Sequence, residues 1–264
     1  MRILNTLISC KGMGKINCNP DRLVLLGKLA NIASHEKAKL LIVPAGFLTA
    51  NSNQHRDELL DQVVRLAKEK GINIIGGIDL VSNHKKNTKI NKKKLDEMVS
   101  KSSIPYFGFA INGSGLIGTW QQRSTTAANS KLVLESNINN RDRIIEIKGF
   151  RVGVLICGEI FSPRIRTNMS DLKLKPHLIV NIGHAGMTRF IPTIRNISKM
   201  SGCSVVHNHH IKDWHRRSFH FVDANSCYCP QTIDRGCLKE YKSLWGVWSI
   251  MDTKELKSLG GKIL

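Results

Sequence analysis

Acidic side chains are scarce in this chain. Only 20 Asp and Glu stand against 40 Lys and Arg, which gives a formal net charge of +20. Such a surface attracts polyanions or acidic partners without identifying one. Long apolar runs are missing too: no stretch approaches the roughly 18 residues of a spanning helix, so no membrane partner is expected. The seven cysteines are odd in number and lack the spacing of a secreted disulfide framework, so free thiols in a reducing compartment are expected. Met1 to Ser9 is a short strand-like run followed by Lys11, Gly12 and Gly14, with neither a sustained apolar stretch nor a cleavage site. It reads as no signal peptide, and a soluble, cytoplasmic protein is the expectation. Helix-turn-helix, RNA-binding and zinc-finger patterns are missing, so sequence-specific nucleic-acid recognition has no visible reader. With no internal repeat and no dividing linker, the chain reads as one domain over 1–264, carrying a basic insertion near 82–103.

What is present is an ordered alternation. Ile3 to Ser9 reads as a strand. Asn19-Pro20 opens a helix that carries Leu23, Leu26, Leu29 and Ile32 or Ala33 at helical spacing. Lys39 to Val43 is a strand stopped by Pro44, and Arg56 to Lys70 a helix closed by Gly71. Ile72 to Ile75 is a strand ending at Gly76-Gly77, which completes a β-α-β-α-β opening. Two hairpins follow, Tyr106–Ile111 with Leu116–Trp120, and Ile144–Ile147 with Val152–Ile156. The second half alternates again: strand Leu178–Asn181, helix Thr188–Ser201, and strand Ser204–Val206. Strands are also expected at Phe219–Val222 and Trp245–Met251, and a short helix at Thr253–Leu259.

The segment Gly153-Val154-Leu155-Ile156-Cys157-Gly158-Glu159-Ile160-Phe161 carries the chemistry. An apolar run ends at a cysteine flanked by a glycine and followed closely by a carboxylate. A buried strand that delivers a thiol to a sharp turn exposes a nucleophile at the rim of a sheet. A cysteine closing an apolar run is also ordinary packing, so the surrounding residues must decide.

Four stretches in order resemble the nitrilase superfamily of carbon–nitrogen hydrolases. Leu40 to Thr49 is similar to that family's strand and loop in which a proline precedes glutamate. Asn112 to Gln122 resembles its hairpin ending in a lysine-bearing triplet, and Phe150 to Phe161 resembles its nucleophile strand. Ile194 to Asn208 is similar to its helix–strand unit ending in an asparagine near the pocket. The resemblance implies an α/β fold, an α-β-β-α sandwich of the carbon–nitrogen hydrolase type, forming a homodimer or higher oligomer. It also implies a Glu-Lys-Cys site that makes a thioester with an amide, nitrile or ureido substrate and needs no cofactor or metal. A pocket containing Trp120, Gly158, Ile160, His184, His207, Asn208 and His209 follows from the same comparison.

Cys157 keeps the nucleophile position, but the glutamate position falls on Ala45 and the lysine position on Gln122. An unassisted thiol of pKa about 8.5 is only about 3% thiolate at pH 7. The expectation is therefore a divergent member in which ordinary amidase or nitrilase activity is lost or much reduced. Two alternatives stay open. In one, Cys157 hydrolyses a small amide, ureido or nitrile substrate with Glu159, Glu135, or His207 or His209 as its assistant. Each assistant has a plainer reading: Glu159 as a carboxylate orienting the turn, Glu135 as an exposed strand edge, and the histidines as a solvated loop. In the other alternative the chain is a basic binding module for nucleic acid or an acidic protein. Lys85, Lys86, Lys89, Lys92, Lys93, Lys94 and Lys101 cluster in one stretch, and ten Lys or Arg lie between Glu159 and His220. Cys227-Tyr228-Cys229 and Cys237 near the histidines offer zinc ligands, but the C-x-C spacing is tight and no second pair completes it.

Overall fold

Strand β1 (Arg2–Ser9) is common to two sheets. It pairs antiparallel with the last strand, β14 (Leu244–Asp252), and parallel with β2 (Leu40–Ile42) at Ile3 to Asn5. At Leu7 to Ser9 it pairs instead with β10 (Ser204–Ile211). The first sheet continues from β2 to β4 (Asn73–Leu80), β5 (Tyr106–Asn112) and β6 (Gly115–Gln121), with β3 (Leu48–Ala50) also on β4. The second runs from β10 through β9 (Leu178–Ile182) and β8 (Phe150–Ile156) to β7 (Ile144–Ile147). Three further pairings extend the sheets: β11 (His220–Val222) on β10, β12 (Tyr228–Pro230) on β11, and β13 (Arg235–Tyr241) on β14. This computed structural model describes residues 1–81, 104–124, 143–170, 176–185, 190–211, 220–222, 228–230, 235–241 and 244–252. The basic insertion near 82–103, Glu135, Cys227 and the helix expected at Thr253–Leu259 lie outside the described residues.

Side chains alternate faces along a strand, and the chain uses both faces. In β8, Val152, Val154 and Ile156 point between the sheets while Leu155 points outward; in β9, Leu178, Val180 and Ile182 point between them while Ile179 points outward. Three apolar layers result. One lies between the sheets, where Ile3, Ile42, Ile75 and Ala110 meet Val154, Val180 and Val206. A second packs Leu4, Ile8, Leu41 and Ile74 against helices α1 (Asn19–His35) and α2 (Asn53–Lys70). The third packs Leu155, Ile179 and Val205 against α3 (Pro163–Ser170) and α4 (Phe190–Ser201). That is the α-β-β-α sandwich implied by the resemblance. Burial on both faces explains the near-continuous apolar strands. Among the described residues no helix is long and apolar enough to cross a membrane.

Two strands are longer than their sequence suggests, and both differences shape the site. β4 does not end at Gly76-Gly77 but runs through them to Leu80. Those glycines permit close packing rather than a turn. A Cβ at Gly76 would lie 2.5 Å from Val43, and one at Gly77 2.5 Å from the Ala45 backbone. β10 likewise runs beyond Val206 to Ile211, so His207-Asn208-His209-His210 form a buried strand rather than a polar loop. Asn208 donates from its amide to Asn5 Oδ1 at 2.8 Å, to the Thr6 carbonyl and to the Ile42 carbonyl at 3.2 Å. It fastens the junction where β1 passes from β2 to β10.

Candidate active site

The apolar run of β8 ends at Ile156, and the chain turns there. Cys157 has φ +45°, a left-handed conformation that costs a residue with a Cβ about 1–3 kcal/mol. It opens the 3₁₀ turn Cys157–Phe161 and is half-buried. Glu159 holds that turn. Its Oε2 accepts from the Ile156 N–H at 2.9 Å, and its Oε1 from the Arg123 N–H at 2.7 Å. Arg143 grips the same carboxylate in bidentate fashion, Nη1 to Oε2 at 2.8 Å and Nη2 to Oε1 at 3.0 Å, with both residues buried. A carboxylate receiving four such bonds orients the backbone beneath Cys157, which is the plainer of its two sequence readings.

The side chain that meets the thiol is His184. β8 and β9 are parallel neighbours with Ile156 opposite Ile182, so the residues following them emerge at the same rim. Gly183 allows the exit from β9, because a Cβ there would meet His207 Cε1 at 2.6 Å. His184 Nε2 lies 3.0 and 3.1 Å from the two carboxylate oxygens of Asp79, which leaves Nδ1 as the ring nitrogen that the carboxylate does not engage, and the ring interacts with the Cys157 thiol. Asp79 comes from the other sheet, near the end of the lengthened β4. The sheets approach closely beside this point: a Cβ on Gly108 of β5 would lie 3.0 Å from Ile156. Gly46, at φ +63°, leaves room for the carboxylate, since a Cβ there would stand 2.6 Å from Asp79 Oδ2 and 3.0 Å from His184.

The electrostatics follow from this contact. Burial pushes the Cys157 thiol up. The hydrogen bond from the His184 ring, its charge, and the His184 backbone N–H pull it further down, against a small opposing effect of Asp79. The net result lies below the ordinary thiol value. Burial lowers His184, but the charge and hydrogen bond of Asp79, joined by those of Cys157, carry it well above its usual value. Each partner thus favours the charged form of the other, and a carboxylate backs the pair. That arrangement combines a nucleophile, a proton carrier and an orienting acid.

The remaining candidates are placed elsewhere. Ala45 is a buried methyl in the layer between the sheets, and its carbonyl lies 3.0 Å from His210 Nε2. Gln122 is buried and turns its amide nitrogen to the Ser124 carbonyl, while its Oε1 has no partner among the described residues. His207 stacks on Phe190 of α4 with ring centroids 4.0 Å apart, accepts from the Asn181 amide at 2.8 Å, and stacks in turn on His209. Those contacts place both histidines towards the helical layer, so the structure brings His184 to the thiol instead. Ile160 also faces that layer, Gly158 is buried in the turn, and Trp120 fills the space between the sheets. No group of three or more His, Cys, Asp or Glu is arranged to hold a metal ion among the described residues.

Sequence reasoning nominated His184 only as a pocket residue and did not nominate Asp79. One signal was available: in an acid-poor chain, Asp79 interrupts the apolar sequence Ile78-Asp79-Leu80 directly after a glycine pair. Gly46→Ala tests how the carboxylate is housed. Left-handed backbone with a Cβ costs about 1–2 kcal/mol before the collision with Asp79 is counted. Thermal denaturation should show a lowered Tm, and alkylation of Cys157 should require higher pH as the displaced Asp79 releases His184.

Comparison with known proteins reveals likeness in structure rather than in sequence. No protein-family model matches the sequence, and no curated protein matches it. Among solved structures, an amidase from Nesterenkonia sp. superposes with a TM-score of 0.61 at 13% identity, covering 94% of this chain and 89% of that one. Saccharomyces cerevisiae Nit3, a member of branch 10 of the nitrilase superfamily, gives a TM-score of 0.63 at 13% identity, covering 98% and 93%. A variant of the Nesterenkonia sp. AN1 amidase showing Michael addition of acrylamide at its active site cysteine gives 0.64 at 12% identity, covering 97% and 95%.

Proposed function

We propose that this chain, which has the nitrilase-superfamily hydrolase fold, is a thiol-dependent hydrolase of a small amide-type carbon–nitrogen bond. In this reading Cys157, His184 and Asp79 replace the Glu-Lys-Cys chemistry that the resemblance implies. One observation carries it: His184 is held by the Asp79 carboxylate at 3.0 and 3.1 Å while its ring favours ionisation of the Cys157 thiol. A thiol kept only for packing needs neither.

The Cys157 thiolate attacks the substrate carbonyl carbon, forming the S–C bond and moving the carbonyl π pair onto oxygen. When that oxyanion collapses, the C–N bond breaks and the leaving nitrogen takes the proton from His184 Nδ1. The product is a thioester on Cys157 and free ammonia or amine. Neutral His184 then removes a proton from water as the water attacks the thioester. Collapse of the second tetrahedral species expels the thiolate, which pairs again with protonated His184, and a carboxylic acid departs. Asp79 keeps its contact with Nε2 and so fixes the imidazole with Nδ1, not Nε2, turned to the sulfur. The negative charge that Ala45 cannot supply is provided by Asp79, whose Oδ2 sits over neighbouring Gly46.

Ammonia release from a panel of small aliphatic amides and ureido compounds, followed by intact-mass detection of the acyl-enzyme, tests the reading. Wild type is expected to turn over at least one compound and Cys157→Ala none. Because an amidase of the same fold carries an acrylamide adduct on its active site cysteine, acrylamide is expected to add to Cys157. A wild-type protein that releases no ammonia and whose thiol reacts only like free cysteine overturns the assignment.

A further inference from the structure

Attack on a carbonyl leaves negative charge on oxygen, and removing a donor aimed at that charge typically lowers turnover by about 10²- to 10³-fold. The position matching the family's lysine carries no charge here, and one of the two N–H groups of the Gln122 amide is given to the Ser124 carbonyl. A further donor is sought at the same rim.

We propose that Tyr106 is a catalytic residue whose phenolic O–H donates to the oxyanion formed at Cys157. The inference rests on the hydrolase reading above. Tyr106 starts β5 directly opposite Asp79 on β4, and opposed residues of an antiparallel pair project from the same face. Its ring lies 4.6 Å from the His184 ring, centroid to centroid, at 57°. The imidazole is therefore flanked by Asp79, Cys157 and Tyr106. The Tyr106 carbonyl accepts from the Gln122 N–H at 2.8 Å, so Tyr106 stands across the ladder from the position where the family's lysine is missing. Tyr106 is half-buried, and its hydroxyl is committed to no partner among the described residues.

Its acidity fits the task. Burial raises the phenol, and the charges of Asp79 and Cys157 raise it further, so the proton stays in place at neutral pH. A neutral donor stabilises a developing alkoxide without competing with His184 for the charge of the thiolate ground state. A lysine in the same place would pair with both anions already present.

Tyr106→Phe separates this role from a structural one, because it removes the hydroxyl and keeps the ring on His184. Turnover of the amide found for the wild type is expected to fall by about 10²- to 10³-fold with KM little changed. Propionaldehyde, which adds to the thiol as a hemithioacetal bearing the same oxygen, should bind about 10- to 10²-fold more weakly. The rate and pH profile of Cys157 alkylation by iodoacetamide should remain those of the wild type, which also reports an intact fold. Turnover and aldehyde affinity within about twofold of wild type would overturn the proposal, as would an alkylation profile shifted along with the turnover. A wild type that neither hydrolyses amides nor binds the aldehyde would overturn the hydrolase reading itself, and Tyr106 with it.

Discussion

His184→Ala is expected to lower amide turnover by about 10²- to 10⁴-fold, the usual contribution of a positioned acid–base group. It should also reverse the direction in which Cys157 departs from an ordinary thiol. In the native site the His184 interactions outweigh burial, so the thiolate forms below the usual pH. Without them burial prevails, and the alkylation midpoint should move above that of free cysteine. The wild-type pH profile follows from the same pair. Acylation needs thiolate and imidazolium together, so turnover should fall on the acid side as Cys157 gains its proton. On the alkaline side it should fall as His184 loses its own, above the ordinary imidazole range. Asp79→Asn removes the charge that lifts His184, so the alkaline limb should move to lower pH while the thiol remains present. Rate measurements across pH on the three proteins check all of this. An alkylation midpoint unchanged in His184→Ala would show that the imidazole does not activate the sulfur.

The second large effect concerns stability. Glu159→Ala leaves the Arg143 guanidinium buried without its counter-charge, and breaking a buried pair in this way typically costs about 3–5 kcal/mol. It also removes the acceptor for the Ile156 and Arg123 N–H groups, which hold the base of the left-handed turn at Cys157. Denaturant unfolding should show a lower midpoint with an unchanged slope, since the surface exposed on unfolding is nearly the same. Glu159→Gln keeps the shape but presents an amide hydrogen towards one of these donors, so it should be destabilised as well. If Glu159→Gln instead folded as well as wild type, alkylated normally and lost all turnover, Glu159 would be the base and His184 would not.

Most of the fold was legible because the layers write themselves into the chain. Strands buried on both faces read as apolar runs, and the helices carry periodic leucines, with Gly71 closing α2. The site was legible only in part. Cys157 stood out because an apolar run ends on it, and Glu159 because it follows the cysteine by two residues. Asp79 was hidden by Gly76-Gly77, which suggest a stop when read locally. In three dimensions they are the positions where Val43 and Ala45 press against the strand. The histidines after Val206 misled for the opposite reason. Imidazoles suggest a wet loop, yet His207 is accommodated by stacking on Phe190 and His209, a contact between segments that no local pattern reveals. The pairing of His184 with Asp79 joins residues far apart in the chain and from different sheets, so spacing carried no trace of it.

That division between sheets has a mechanical consequence. Asp79 rides on one slab of the sandwich while Cys157 and His184 ride on the other, and hydrogen bonds of about 3 Å tolerate little slippage. The proton relay is therefore a built-in strain gauge for the seam between the slabs. Moderate heat or pressure that loosens the seam should silence the sulfur while every strand is still paired.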